Sequence, residues 1–279
     1  WLEQALQFPG AALVPLLALA ASALGLREAR RLPRVRAVRV PIAALPAALE
    51  GLRIVQISDV HVGPTIGRAW LSRMVDNVNG LQPDLVAITG DLVDGSVEQL
   101  REEVAPLALL QAPLGVYFVT GNHEYYSGAP GWVAELRRLG ITVLMNEHRV
   151  LERRGASLVL AGITDFGAAQ FTPQEASDPQ RALAGAPAAV PRVLLAHQPR
   201  SCFAAEGLDV RLQLSGHTHG GQFLPWPWFV RLQQPYTAGL HRHGAMWVYV
   251  SRGTGYWGPP LRLGAPAEIS LITLHAAAS

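Results

Sequence analysis

The feature that most constrains this chain is where its polar residues fall, because one short apolar run after another ends in a cluster of carboxylates, imidazoles and amides. Leu52 to Ile57 runs into Ser58-Asp59-Val60-His61, and Leu85 to Thr89 runs into Gly90-Asp91-Leu92-Val93-Asp94. Val116 to Thr120 enters Gly121-Asn122-His123-Glu124, Val193 to Ala196 enters His197-Gln198-Pro199, and Leu212 to Ser215 enters Gly216-His217-Thr218-His219. Short apolar runs of this kind read as buried strands. In open α/β sheets the ligand crevice lies at the carboxyl ends of strands, so these five ends predict one convergent site.

Between the runs, amphipathic segments near Arg68 to Asn79, Gln99 to Leu110 and Trp132 to Leu139 read as covering helices. Leu158 to Ala161, Trp247 to Val250 and Ile269 to Leu274 read as further strands, and Ala182 to Pro191 as a surface connection. No internal repeat is visible. A length of 279 residues suffices for one catalytic domain, here 41–279, preceded by an N-terminal extra, 1–40.

That N-terminal piece is distinctive. No charged residue occurs from Gln4 to Leu26, and the run from Ala11 to Leu26 approaches the length of a bilayer span. Arg27, Arg30, Arg31, Arg34, Arg36 and Arg39 follow it, against the single acid Glu28. Basic residues on the C-terminal flank predict a membrane-associated helix with the catalytic domain in the cytoplasm, and a secretory signal would carry them on the other side. The competing reading is an amphipathic or core-packed helix, which Pro9, Gly10 and Pro15 favour. The chain opens on Trp1 rather than Met, which leaves room for upstream sequence, further helices included.

Charge elsewhere excludes one class of partner. The net charge is +2, and removing the six arginines and Glu28 of that segment leaves −3 (+2 − 5), so the catalytic part is not basic and no nucleic-acid partner is expected. The lone Cys202 excludes an internal disulfide and any cysteine-rich zinc site.

Asp59, His61, Asp91, Asn122, His197, His217 and His219 together make a donor set suited to two divalent ions about 3.5 to 4 Å apart with one carboxylate between them. Such a mixed O/N set accepts Mn, Fe, Zn or Co. If Asp59-Val-His61 and His217-Thr-His219 are extended, each pair points one way and faces one metal. A single fragment of this kind occurs often by chance; five in order do not.

The order Asp-x-His, Gly-Asp-x-x-Asp, Gly-Asn-His-Glu, His, Gly-His-x-His resembles the calcineurin-like metallophosphoesterase family over roughly residues 51 to 275. The resemblance implies a four-layer α/β sandwich of two mixed β-sheets flanked by helices. It also implies that Asp59, His61, Asp91 and His219 hold a first metal and Asp91, Asn122, His197 and His217 a second, Asp91 bridging. His123 then resembles the general acid that protonates the leaving oxygen, a role typically worth about 10² to 10⁴ in rate. Asp94 is expected either to orient His123 or to cap the turn at Gly95-Ser96. Glu124 is expected as an acceptor for a ligand histidine or as a surface salt bridge. Phosphoprotein phosphatases of the superfamily have Arg-Gly where this chain has Gly95-Ser96, which argues against protein substrates.

After the last motif comes Phe223-Leu-Pro-Trp226-Pro-Trp228-Phe229, an aromatic loop expected close to the metals, either as a packed lid or as an apolar, interfacial surface. With the N-terminal segment it predicts an amphiphilic phosphoester substrate. The extended block through Gln222, Tyr236 and Ser251-Arg252-Gly253-Thr254-Gly255 is similar to the membrane-associated branch that includes UDP-2,3-diacylglucosamine hydrolases of lipid A synthesis. That similarity implies a phosphodiester or pyrophosphate substrate, with Arg252 as a phosphate clamp and Gln222 and Trp226 as further contacts; a broad envelope phosphodiesterase or phosphomonoesterase is the alternative, and a non-catalytic metal-binding module a remote third. His148 and His275 read as ordinary surface or packing residues, while His241 and His243 are candidates for substrate contact.

Overall fold

The computed structural model describes residues 9–277. In chain order the main elements are helix α1 (Pro9–Arg30) and strands β1 (Arg34–Ile42) and β2 (Arg53–Ile57); α2 (Arg68–Gly80) and β3 (Leu85–Ile88); α3 (Val97–Val104) and β4 (Val116–Phe118). They continue with α4 (Asn122–Tyr126), α5 (Ala129–Arg138), β5 (Thr142–Val143), β6 (Glu147–Arg153), β7 (Ala156–Gly162), α6 (Pro179–Leu183), β8 (Arg192–Leu195) and β9 (Val210–Ser215). Helix α7 (Trp226–Val230), β10 (Gly239–His243), β11 (Met246–Val250) and β12 (Glu268–Ala276) complete the chain.

Side-chain alternation explains the layers. In β2, Ile54 joins Leu85, Ala87, Leu160, Val193, Leu195, Leu212 and Leu214 in a core between two sheets, while Val55 and Ile57 face the other way onto Leu71, Met74, Val75 and Trp132 of the helices. One sheet has the order β1-β12-β2-β3-β4-β5 and the other β10-β11-β9-β8-β7-β6. Both are mixed: β2 through β5 are parallel with β12 antiparallel to β2, and β7, β8, β9 and β11 are parallel with antiparallel edges. A further cluster with Val159, Leu194, Val248 and Cys202 covers the outer face of the second sheet. The architecture is the expected four-layer α/β sandwich.

Three departures from the sequence reading have local causes. The helix expected to reach Leu110 ends at Val104 and tightens into a 3-10 turn over Ala105–Leu109, where Pro106 lacks the N–H that an α-helix needs. The basic segment placed in the N-terminal extra, 1–40, is partly a strand of the first sheet: β1 pairs parallel with β12 from Arg34 opposite Glu268 to Ile42 opposite Ala276. The proline-stiffened aromatic loop contains the short helix α7.

Among the described residues, helix α1 docks by its foot alone. Ala29 is buried in the helix-side core and the Gly25 carbonyl accepts from the Arg262 N–H at 3.0 Å, whereas Leu13, Val14, Leu16, Leu17, Leu19 and Leu24 are exposed. Among the described residues no helix is long and apolar enough to cross a membrane. Residues 4–8 of the expected apolar run lie outside the described residues.

Candidate metal centre

The five predicted strand ends converge. Asp59 and His61 leave β2, Asp91 leaves β3, Asn122 opens α4 after β4, His197 follows β8, and His217 and His219 follow β9. Below them the buried Gln56 amide donates to Thr89 Oγ1 (2.8 Å) and to the Ser215 carbonyl (2.9 Å), joining the two sheets at their carboxyl ends. The site therefore sits where both sheets terminate together.

Backbone conformation, not strand alternation, aims the side chains. Asp59, His61, Asp91, His217 and His219 all have left-handed φ, between 50° and 70°. Such values cost a non-glycine residue about 1–3 kcal/mol each and persist where the surroundings over-determine them, typically at functional sites. Neighbouring glycines make room: a Cβ on Gly121 would collide with the Asp91 carboxylate, and one on Gly216 with Ser58 Oγ and Asp59. The extended geometry expected for the two x-spaced pairs is thus absent. His217 and His219 do not face one centre but divide between two.

The division is clear in the side chains. Asp59, His61 and His219 form one cluster and Asp91, His197 and His217 another, with ligand atoms in each within 4.8 Å of one another. In the first, His61 Nε2 lies 3.1 Å from His219 Nε2, and His219 Nε2 lies 3.4 Å from Asp59 Oδ1. In the second, His197 Nε2 lies 3.1 Å from Asp91 Oδ2 and 3.2 Å from His217 Nδ1. Two imidazole nitrogens bound to one ion at about 2.0–2.1 Å sit roughly 3 Å apart at angles near tetrahedral, so both pairs suit a shared cation. The buried Asn122 Oδ1 has no hydrogen-bond partner. An acceptor orphaned in this way costs stability unless something occupies its lone pairs, and a divalent ion beside Asp91 would. The donor set present fits two such ions.

Outer contacts fix each donor. The His197 Nδ1–H donates to the Thr89 carbonyl at 2.7 Å, leaving Nε2 for the site. The His217 N–H donates to both Asp59 oxygens (2.8 and 3.1 Å), and the His123 N–H to Asp91 Oδ1 (2.9 Å). Glu124, fully buried, accepts from the backbone N–H groups of Asp91 (3.0 Å), Leu92 (2.7 Å) and Gly121 (2.6 Å). It is neither a histidine acceptor nor a salt bridge; it pins the Asp91 turn to the Asn122 turn.

Burial, then repulsion from His197, holds His217 down to about 3, and burial, then His61 and Arg262, holds His219 well below the usual histidine range; neutral imidazoles are what a cation needs. Burial would raise Asp91, but His197 outweighs it and keeps the carboxylate ionised; burial would lower His197, but Asp91 outweighs that and raises it. Burial, then the Asp91 charge, pushes Glu124 up to about 7.

Asp94 bonds His123 and His61 and does not cap the helix that follows. A single oxygen, Oδ1, meets His123 Nδ1 at 2.6 Å and His61 Nδ1 at 2.9 Å, while Ser96 caps α3 with Gln99. Burial would raise its pKa, yet those two hydrogen bonds hold it well below the usual carboxylate range. For His123, burial would lower the pKa, but the Asp94 hydrogen bond and the Asp91 charge raise it. Its other ring nitrogen, Nε2, lies 4.0 Å from Asp91 Oδ2.

Two cavities meet at His123. One, of about 570 Å³, opens from Asp91, Asn122, His217 and His219 along Phe223, Trp226, Phe229 and Val230. The other, of about 690 Å³, lies past His61 and Asp94 among Thr65, Ser96, Gln99, Tyr126 and Ser127. Trp257, half exposed, lines both.

The remaining candidates separate. Trp226 lines the apolar cavity. Gln222 also lines it, but both ends of its amide are spent on Trp257, donating to the carbonyl (2.7 Å) and accepting from the N–H (2.9 Å). Arg252 lines neither cavity and instead pairs with Glu268 through Nη1 at 3.1 Å, its stem lying over Gly220. His241 stacks on Tyr236 and bonds the Ala238 carbonyl, and His243 lies between Tyr236 and Glu206, so neither reaches the metal-facing residues. His148 bonds the Ala182 carbonyl and His275 pairs with Glu50. Sequence reasoning missed Trp257, Asp165 and Arg262. Asp165 ends β7 as another polar strand end, accepting from Gln198 at 3.1 Å, and that position was its one signal.

Fold and paired clusters together define a metallophosphoesterase. The chain belongs to the calcineurin-like phosphoesterase family, whose pattern matches residues 52–221. It is 42% identical over 261 residues to a transmembrane protein with metallophosphoesterase domain of Danio rerio, covering 91% of this chain and 60% of that one. An uncharacterized metallophosphoesterase of Helicobacter pylori is 39% identical over 228 residues, covering 80% of this chain and 60% of the relative. The chain thus spans less than two thirds of these curated relatives. A sulfate thiohydrolase of Thermus thermophilus shares the fold, with TM-score 0.50 and 16% identity over 82% of this chain and 57% of the other. The family implies divalent metal ions, and the two clusters are where this chain can hold them.

Proposed function

We propose that this hydrolase uses two divalent ions to cleave a phosphodiester or pyrophosphate bond of an amphiphilic, lipid-linked substrate at a membrane face. The observation that carries the reading is the apolar cavity, which starts at Asp91, Asn122, His217 and His219 and runs under Trp226 and Phe229. The polar cavity beyond His123 gives a second substituent on phosphorus its own space, which favours a diester over a monoester.

Asp59, His61 and His219 would hold one ion, His197, His217 and Asn122 the other, and Asp91 would serve both. Bound there, two divalent ions would supply a nucleophile by acidifying water and would neutralise charge on the phosphate oxygens. His123 carries the proton on Nε2 for the leaving oxygen, and Asp94 holds the ring by Nδ1 and keeps it protonated. Trp257 divides the two substituents.

Membrane association rests on two exposed apolar features that share a support. Phe223 bridges to Leu263 and a Cβ on Gly264 would touch Leu224, while Leu261 and Arg262 abut Gly25 of α1. The aromatic loop and the foot of the helix thus lean on one segment. With arginines following the helix, this arrangement suits a bilayer surface, the catalytic domain on its cytoplasmic side.

The deciding experiment incubates the Mn²⁺-loaded protein with UDP-2,3-diacylglucosamine and with a water-soluble aryl phosphodiester. Release of UMP at a higher kcat/KM than the soluble diester is the expected result for a lipid A-type hydrolase. Turnover of the soluble diester alone, unchanged by acyl chains, points to a broad envelope phosphodiesterase and defeats the lipid-linked reading.

A further inference from the structure

Two aromatic side chains meet the His123 ring at steep angles, Tyr126 at 5.2 Å and Trp257 at 6.5 Å between centroids. Both line the cavity of about 690 Å³ past His123, and they are 63% and 51% exposed. Trp257 is fixed by its backbone, whose N–H and carbonyl both bond the buried Gln222 amide, so its indole is placed without being used. Aromatic faces held open beside His123 offer a ring a surface to lie on.

The polar atoms of the same wall narrow what that ring can be. Asp94 spends Oδ1 on His123 and His61, and its Oδ2 has no donor among the described residues. Gln99 spends Oε1 on the Ser96 N–H and leaves its Nε2 hydrogens without an acceptor there. The hydroxyls of Tyr126 and Thr65 and the Trp257 Nε1–H also lack a protein partner among the described residues. Hydroxyl groups, which both donate and accept, satisfy such a mixture; a quaternary ammonium, which does neither, leaves the donors idle. An anion is opposed twice. Burial would raise the Asp94 pKa, but its bonds to His123 and His61 outweigh that and keep it ionised. No arginine lines either cavity, and the chain has no lysine.

We propose that the cavity past His123 is a subsite for a neutral hydroxylated ring, a sugar or a nucleoside, on the second ester oxygen of the substrate. Its face lies on Trp257 and Tyr126, and its hydroxyls meet Asp94 Oδ2 and Gln99 Nε2. The assignment rests on the diester reading proposed above. A hydrogen bond donated to an ionised carboxylate is strong enough to set a preference of about tenfold or more.

The test measures kcat/KM of the Mn²⁺-loaded full chain on octyl phosphodiesters, kept below their micelle concentrations, whose second substituent is methyl, glucosyl, uridyl, glucuronyl or choline. The better of glucosyl and uridyl identifies the ring and should exceed methyl by about tenfold, while glucuronyl, which adds a carboxylate to glucosyl, should fall about tenfold below it. In Tyr126→Ala the ring-to-methyl ratio should fall toward one, and in Tyr126→Phe, which keeps the face, it should largely return. Such a ratio, taken on one preparation, does not depend on the fraction that is folded. Equal kcat/KM for methyl, glucosyl and uridyl, or a choline diester preferred to both rings, overturns the subsite. Diesters with methyl in place of octyl separate this failure from that of the earlier reading. If octyl gives no advantage over methyl while the ring preference survives, the amphiphilic substrate falls and the subsite stands. No turnover of any of these diesters defeats the diester reading and the subsite with it.

Discussion

The chain changes character within the few residues that separate His219 from Trp226. Up to His219 the candidate ligands are buried or nearly so, five of the seven stand in left-handed backbone, and all but Asn122 are tied by a named donor or acceptor. From Leu224 onward the side chains are exposed: Leu224 55%, Trp226 52%, Trp228 68%, Phe229 51% and Leu232 82%. The floor is rigid because its polar groups can be satisfied in one arrangement only. The rim is apolar surface left facing water, which in a monomeric enzyme marks a place where something else binds. Reaction class belongs to the first region and substrate choice to the second, so substitutions should divide along the same line.

The sharpest way to break this division is Asp91→Ala. Asp91 touches His197, receives the His123 N–H and belongs to the cluster of His197 and His217, and in the proposed reading it serves both ions. Turnover of every phosphoester, soluble or amphiphilic, should fall to background, and elemental analysis should show less than one ion per chain. Retention of two ions would remove Asp91 from the bridging position.

Next in size is His123→Ala, expected to lower kcat by about 10²- to 10⁴-fold while both ions remain bound. Equal loss on a soluble diester and on a lipid-linked one would keep His123 in the floor. A loss confined to the lipid-linked substrate would move it to the rim.

The pH profile sharpens the same residue. His123 has Asp94, Asp91 and Glu124 about it, and together they raise its pKa against burial. The acid works protonated, so kcat/KM should be full below that raised pKa and fall as pH climbs through it. Asp94→Asn removes the strongest of these attractions, so the alkaline fall should begin at lower pH than in wild type. A limb that stays in place would dissociate Asp94 from the acid.

How far the sequence foretold these regions follows from what sequence patterns encode. Strand period and apolar runs placed β2, β3, β4, β8 and β9, and the residues ending them all reached one site. Strand alternation failed for His217 and His219, because it assumes extended backbone and the turn is left-handed at both. Arg262 and Trp257 were invisible for a different reason. Neither sits in a motif, and each owes its place to tertiary contacts with Gln222, Gly255 and His219 that no local spacing reports. Arg252 was expected as a phosphate clamp from the Ser251–Gly255 block alone, whereas its partner Glu268 opens β12, 16 residues on.

The rim should yield the smallest effects. Trp226 lines the apolar cavity and Trp228, the more exposed, does not. Trp226→Ala should raise KM for an amphiphilic diester by about tenfold, equivalent to ~1.4 kcal/mol of lost apolar contact, and leave kcat on a soluble diester unchanged. Trp228→Ala should leave both KM values alone and instead weaken co-sedimentation of the protein with vesicles of mixed neutral and anionic lipid by a few-fold, since interfacial tryptophan contributes to partitioning rather than to the pocket. If Trp228→Ala raised KM for soluble and amphiphilic diesters alike, with vesicle binding intact, the exposed aromatics would be a lid over the metals. The contrast between floor and rim would then be one of mobility within a single site.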